Sequence, residues 1–180
     1  MGFGPSAVLG GKVAAPDKIV INLTGDGGFG INPSCLATAV EHGIACTWVV
    51  MNNSAFGTIA GLENANYKTK FGTVFYKPDG ERYTICWADV AKSYGIESIC
   101  VNSAEEFKPA LEKAIAANKE GRPFLVEAPM ENIVVPTPGC WNINDIYTPN
   151  ALVKEGKLVK KENGRYVAPS HSKSHDGCLN

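Results

Sequence analysis

The sequence has no run of eighteen apolar residues that could span a bilayer, and it opens without the basic and apolar regions of a secretory leader. No membrane partner is expected, and the expected compartment is the cytoplasm. Charge of one sign is missing too. Lys and Arg total 17 against 18 Asp and Glu, a net charge of −1, which leaves no basic stripe for a nucleic-acid partner. A small polyanionic ligand needs only a local site. The six cysteines (Cys35, Cys46, Cys86, Cys100, Cys140 and Cys178) show no C-x-x-C or metal-ligand spacing. Four sit in apolar surroundings, and the expected state of the set is buried reduced thiols in a cytoplasmic protein. Cys140, within Pro138-Gly-Cys-Trp141, is kept as a candidate active-site residue. Of three histidines, His42 precedes Gly43 at a helix end, and His171 and His175 lie in a Ser- and Lys-rich terminus that reads as solvated. Gly2 and Gly4 lack the preceding strand and third glycine of a dinucleotide fingerprint. There is no internal repeat.

What the chain does have is Gly25-Asp26-Gly27 and Asn52-Asn53, separated by 24 residues. Lys18–Thr24 reads as a strand running into a glycine-rich turn whose backbone amides could approach an anion closely. A helix is expected from Pro33, with Cys35, Leu36, Ala39 and Val40 along one stripe, ending at Gly43. Ala45–Met51 is a continuous apolar run, as in a strand buried on both faces of a parallel sheet. Asp26 and Asn53 would then arrive at the same carboxyl edge of the sheet, where ligands of open α/β sheets gather. A carboxylate, an amide oxygen and a backbone carbonyl, completed by phosphate oxygens, form a shell suited to magnesium.

Gly-Asp-Gly, a spacer in the mid-twenties and Asn-Asn together resemble the cofactor signature of thiamine diphosphate-dependent enzymes. The Met1–Lys18 segment is similar to the stretch preceding that signature in the acetolactate synthase-like group. The resemblance covers roughly residues 1–130. It implies that Asp26 and Asn53 are Mg2+ ligands with the carbonyl of Ala55 as a third, and that Gly25, Gly27, Gly28, Phe56, Gly57 and Thr58 line the diphosphate. It also implies that Met1 is the large apolar side chain under the cofactor rings. Catalysis would be covalent, by the cofactor, with the protein supplying position and electrostatics. No catalytic side chain is assigned here, since the activating glutamate is expected on a pyrimidine-binding domain or subunit.

The remaining pattern calls for an α/β fold, a doubly wound parallel sheet with helices on both faces. Ser54 is expected to cap a short helix through about Leu62, and residues 63–80 read as loop. A helix over 87–94 closed by Gly95, a strand over 96–101, a helix capped by Asn102 or Ser103 and ended by Gly121, and a strand over 123–128 complete the alternation. Trp48 and Trp87 are expected in the core. Residues 131–180 read as an extended C-terminal arm and tail, a lid carrying Trp141, Asn142, Asn144 and Tyr147 or a subunit contact.

At 180 residues the chain suffices for one such domain, and the expectation is the diphosphate-binding part of a longer enzyme, inactive alone. By resemblance it would work as a homodimer or homotetramer on a 2-oxo acid or related carbonyl substrate, as decarboxylase, carboligase or lyase. A subunit of a 2-oxo acid oxidoreductase and a noncatalytic assembly domain are the alternatives; dispersed cysteines weigh against the first, intact Asp26 and Asn53 against the second.

Overall fold

The computed structural model describes residues 1–69, 71–131, 156, 159–160 and 166–167. Four strands, β1 (Ile21–Gly25), β2 (Thr47–Asn52), β3 (Glu97–Cys100) and β4 (Phe124–Pro129), form one sheet in the order β1-β2-β4-β3, every neighbouring pair parallel. Around it run α1 (Phe3–Ala14), α2 (Asp26–Phe29), α3 (Cys35–Glu41), α4 (Gly57–Tyr67), α5 (Trp87–Ser93) and α6 (Ala104–Lys119). A separate pair, β5 (Val159–Lys160) and β6 (Tyr166–Val167), is antiparallel. Among the described residues no helix is long and apolar enough to cross a membrane.

The central strands explain why helices cover both faces. Successive strand residues point to opposite sides, so Trp48 and Val50 enter one core with Leu9, Leu36, Trp87 and Leu125, while Val49 enters another with Ala114, Phe124 and Val126. Two apolar faces require two helical layers. Trp48, Phe29, Phe124 and Leu36 are fully buried, each worth about 1.5–3 kcal/mol of transfer free energy. Phe29 meets Trp87 edge-on, ring centroids 5.2 Å apart. The doubly wound parallel architecture is thus the one expected. Both tryptophans are core residues, and Gly43, Gly95 and Gly121 end their helices with positive φ.

Four local expectations are corrected, and one helix is added. Residues 3–14 form a helix that the glycines of this segment disguise; its buried Pro5, Val8 and Leu9 keep the i, i+3, i+4 spacing that marks one helical face. The turn after β1 is a single helical turn, α2. Ser54 does not cap α4. It takes φ 52, and α4 starts at Gly57 and runs one turn past Leu62. Part of the stretch expected as loop is therefore helix, and beyond it the chain folds back so that Ala55 bridges Val74 and Tyr76 bridges Arg82. Of the cysteines, Cys35 and Cys46 are buried, with burial raising their thiols to about 11 and about 12, whereas Cys86 is exposed. The arm expected over 131–180, with Cys140, lies almost wholly outside the described residues.

The buried Trp48 also ties β2 to α1, since its indole Nε1 donates to the Pro5 carbonyl at 2.9 Å. Trp48→Phe keeps most of the apolar volume and strands that carbonyl. The expected loss is about 1–3 kcal/mol, read as a lower midpoint in urea denaturation.

Candidate functional site

Parallel pairing of β1 with β2 sets Gly25 opposite Met51. The chain leaves both strands at the same edge, so Asp26 and Asn53 emerge side by side. Between them and α1 opens a cleft of about 530 Å³. Every residue that the resemblance places at the cofactor lines it: Asp26, Asn53 and Ala55; Gly25, Gly27 and Gly28 from the first turn; Phe56, Gly57 and Thr58 from the second; and Met1, which is 73% exposed. Cys140, Trp141, Asn142, Asn144 and Tyr147 lie outside the described residues.

The polar centre is a cluster of oxygens. Asp26 is 3% exposed. Burial raises its carboxyl above the ordinary carboxylate range, opposed by hydrogen bonding from the backbone at Gly27, Asn53 and Ala55. The Asn53 amide faces Asp26 Oδ1 at 3.1 Å and the Ala55 carbonyl at 3.0 Å. With its nitrogen turned to them it donates to both. With its oxygen turned to them, three oxygens converge with no proton between any pair, an arrangement a hard cation would neutralise. Among the described residues no three His, Cys, Asp or Glu side chains cluster to hold a metal.

Around it the backbone is packed too closely for side chains. A Cβ on Gly57 would lie 2.5 Å from Asn53 Nδ2, one on Gly27 2.6 Å from the Phe56 ring, and one on Gly28 2.9 Å from Thr24 Oγ1. Glycine at these positions leaves a cradle of bare backbone. Gly57 and Thr58 open α4, and amides in a first helical turn have no partner within the helix. They are free for an anion. Phe56 and Ile59 give the cleft an apolar wall, with Phe56 held edge-on against Phe75.

Sequence reasoning missed what supports the second turn. Arg82 Nη2 donates to the Asn53 carbonyl at 2.7 Å, its guanidinium 5.6 Å from the Tyr76 ring centroid. Phe75 N donates to Ser54 O and Phe56 N to Thr73 O. No periodicity announces these contacts, since they come from an irregular segment about twenty residues downstream. Met51 and Met130, which also line the cleft, could have been found from the parallel register.

Comparison with known proteins gives one consistent picture. A family model for the thiamine pyrophosphate enzyme C-terminal TPP binding domain matches residues 1–128. A sulfoacetaldehyde acetyltransferase of Alcaligenes xylosoxydans xylosoxydans is 35% identical over 127 residues, 70% of this chain and 20% of that protein. A probable acetolactate synthase large subunit of Methanocaldococcus jannaschii is 33% identical over 77% of this chain and 23% of that protein. Among solved structures, the thiamine diphosphate-dependent 4-hydroxybenzoylformate decarboxylase of Rhodococcus jostii RHA1 aligns with TM-score 0.61 and 28% identity, over 73% of this chain and 23% of that one. The chain thus spans only 20% and 23% of the length of these curated relatives.

The buried Asp26 generates a prediction with a definite sign. A carboxyl whose folded pKa is raised stabilises the fold below its unfolded value, here 3.8, and that contribution is lost as pH rises through the folded value. Without divalent cations, Asp26→Asn should therefore raise the denaturation midpoint at pH 7, and the gain over wild type should shrink as pH falls toward 3.8. Equal midpoints at pH 7 would show that the backbone hydrogen bonds fully offset the burial.

Proposed function

This chain belongs to the thiamine pyrophosphate enzymes, as their C-terminal TPP binding domain, and from that premise we propose that Asp26, Asn53 and the Ala55 carbonyl bind Mg2+, which anchors the diphosphate of the cofactor. The observation that carries this reading is the approach of the Asn53 amide to Asp26 Oδ1 and the Ala55 carbonyl. The donor set fits: one carboxylate and two neutral oxygens leave room for phosphate oxygens and water. The glycine cradle fits as well, because its backbone can come within hydrogen-bonding reach of an anion.

In this reading the amides of Gly28, Gly57 and Thr58, with the Thr58 hydroxyl, hold the diphosphate, and Gly25 and Gly27, whose own amide is engaged with Asp26, give the turn its clearance. Met1 lies against the cofactor rings, while Phe56 and Ile59 keep water from that wall. When bound, thiamine diphosphate supplies a carbon nucleophile that adds to a carbonyl and accepts the electrons of the bond broken beside it. The residues of this chain fix where that carbon sits. They do not supply the proton transfer that activates it, which falls to a glutamate on a pyrimidine-binding domain or subunit.

The whole protein is then a lyase or transferase that breaks or makes a C–C bond next to a carbonyl, acting on a 2-oxo acid or related substrate. It works as a cytoplasmic homodimer or homotetramer in which the cofactor is gripped between domains. Residues 1–130 are the diphosphate-binding unit and residues 131–180 an arm, over the site or against a neighbouring subunit.

Calorimetric titration of thiamine diphosphate into the natural protein carrying this chain, with and without Mg2+, tests the anchor. Binding should require Mg2+ and disappear in Asp26→Ala while the far-ultraviolet circular dichroism is unchanged. Tight binding by Asp26→Ala, or binding indifferent to Mg2+, would refute the assignment.

A further inference from the structure

Glu127 lies in β4, is 2% exposed and does not line the cleft. Both its oxygens face donors only. Oε1 accepts from Asn52 Nδ2 at 2.7 Å; Oε2 accepts from the Ala88 amide at 2.8 Å and the Cys86 thiol at 3.6 Å. A glutamine would have to turn its NH2 toward one set of donors, so the pocket is built for a carboxylate. Burying one is costly unless its hydrogen bonds are complete, and here they are.

Those bonds reach the second turn through Asn52. Its Nδ2 also donates to the Ile85 carbonyl at 2.8 Å, and its Oδ1 accepts from the Ser54 amide at 3.1 Å. That last contact spans two residues, as in an Asx turn, and it encloses Asn53. Ser54, the next residue, holds φ 52, a left-handed conformation costing a non-glycine residue roughly 1–2 kcal/mol. Something must hold the turn in that form. The Asn52 side chain does so from within the sheet, and it is itself locked by Glu127.

We propose that Glu127 is a positioning residue for the metal site: through Asn52 it fixes the 52–54 turn and so sets the direction in which Asn53 presents its amide oxygen. Ala88, Cys86 and Ile85 anchor the other end of the network to α5 and the segment before it. The proposal rests on the reading of Asn53 as a metal ligand. It adds a residue 74 positions further along the chain that touches neither metal nor cofactor. Groups hydrogen-bonded directly to a metal's ligands typically change its affinity roughly 10–100-fold when removed, and Glu127, one contact further out, is expected at the lower end of that range.

The test measures the Mg2+ concentration giving half-maximal thiamine diphosphate binding, by calorimetry on the natural protein, for wild type, Glu127→Gln, Asn52→Ser and a control, Asn118→Ala. Asn118 carries a buried network at the opposite end of the sheet, accepting from Thr47 Oγ1 and donating to the Cys46 and Arg122 carbonyls. Its loss costs stability without reaching the turn. The expected result is a half-saturation raised about tenfold or more in Glu127→Gln and Asn52→Ser, with Asn118→Ala within about twofold at comparable thermal destabilisation. The double variant Glu127→Gln/Asn52→Ser should be no worse than the worse single, because both break one chain of contacts. Should Glu127→Gln fail to fold, Asn52→Ser decides alone, since it leaves the carboxylate its bonds to Ala88 and Cys86. Unchanged Mg2+ dependence in a folded Glu127→Gln or in Asn52→Ser, or an equal shift in Asn118→Ala, overturns the proposal. A wild type whose binding ignores Mg2+ overturns the underlying site as well.

Discussion

The parallel hydrogen-bonded ladder between β1 and β2 is the constraint on which the remaining structure depends. With Gly25 set opposite Met51, both strands end at the same edge, and Asp26 and Asn53 leave them into one cleft. A slip of one residue would turn every side chain of β2 to the other face, sending Trp48 and Val50 out of one core and Val49 out of the other. The register that fills the two cores is the register that brings Asp26 to Asn53. Packing and chemistry thus share one determinant for the approach of the two strand ends, and side-chain contacts then fix the second turn.

That economy has a local cost. Asp26 is buried where its charge is disfavoured, and Ser54 is held in a conformation serine does not favour. Both belong to the oxygen cluster or lie next to it, while α3, α5 and α6 end conventionally at glycine. Strain at the ends of two strands is what a rigid scaffold permits. The clamp on the second turn is double, Glu127 through Asn52 from the sheet side and Arg82 on the Asn53 carbonyl from the loop side.

Much of this could be read in the residues. The apolar run through β2, the glycines closing the helices and the alternation of strands and helices led to the observed architecture, because each rests on a local rule. The Gly-Asp-Gly and Asn-Asn pair led to the cleft, because adjacent parallel strands share an edge. Reading failed where the determinant was distant or disguised. The glycines of α1 hid a helix whose burial stripe is short. Ser54 looked like a cap because serine usually is one, and only the backbone bonds to the 73–75 segment and the Asn52 side chain show why it instead turns left-handed. Glu127 in an apolar strand gave no sign of its partners, which come from Asn52 and the start of α5.

The Asn53 amide has a consequence of a different order. Whichever of its two atoms faces Asp26 Oδ1 and the Ala55 carbonyl decides the character of the cluster: the nitrogen closes it with two internal hydrogen bonds, the oxygen leaves three oxygens with no proton among them. On the reading of Asn53 as a Mg2+ ligand, cation binding would exchange those internal hydrogen bonds for coordination, and an anion held on the neighbouring glycine backbone would offset part of that exchange.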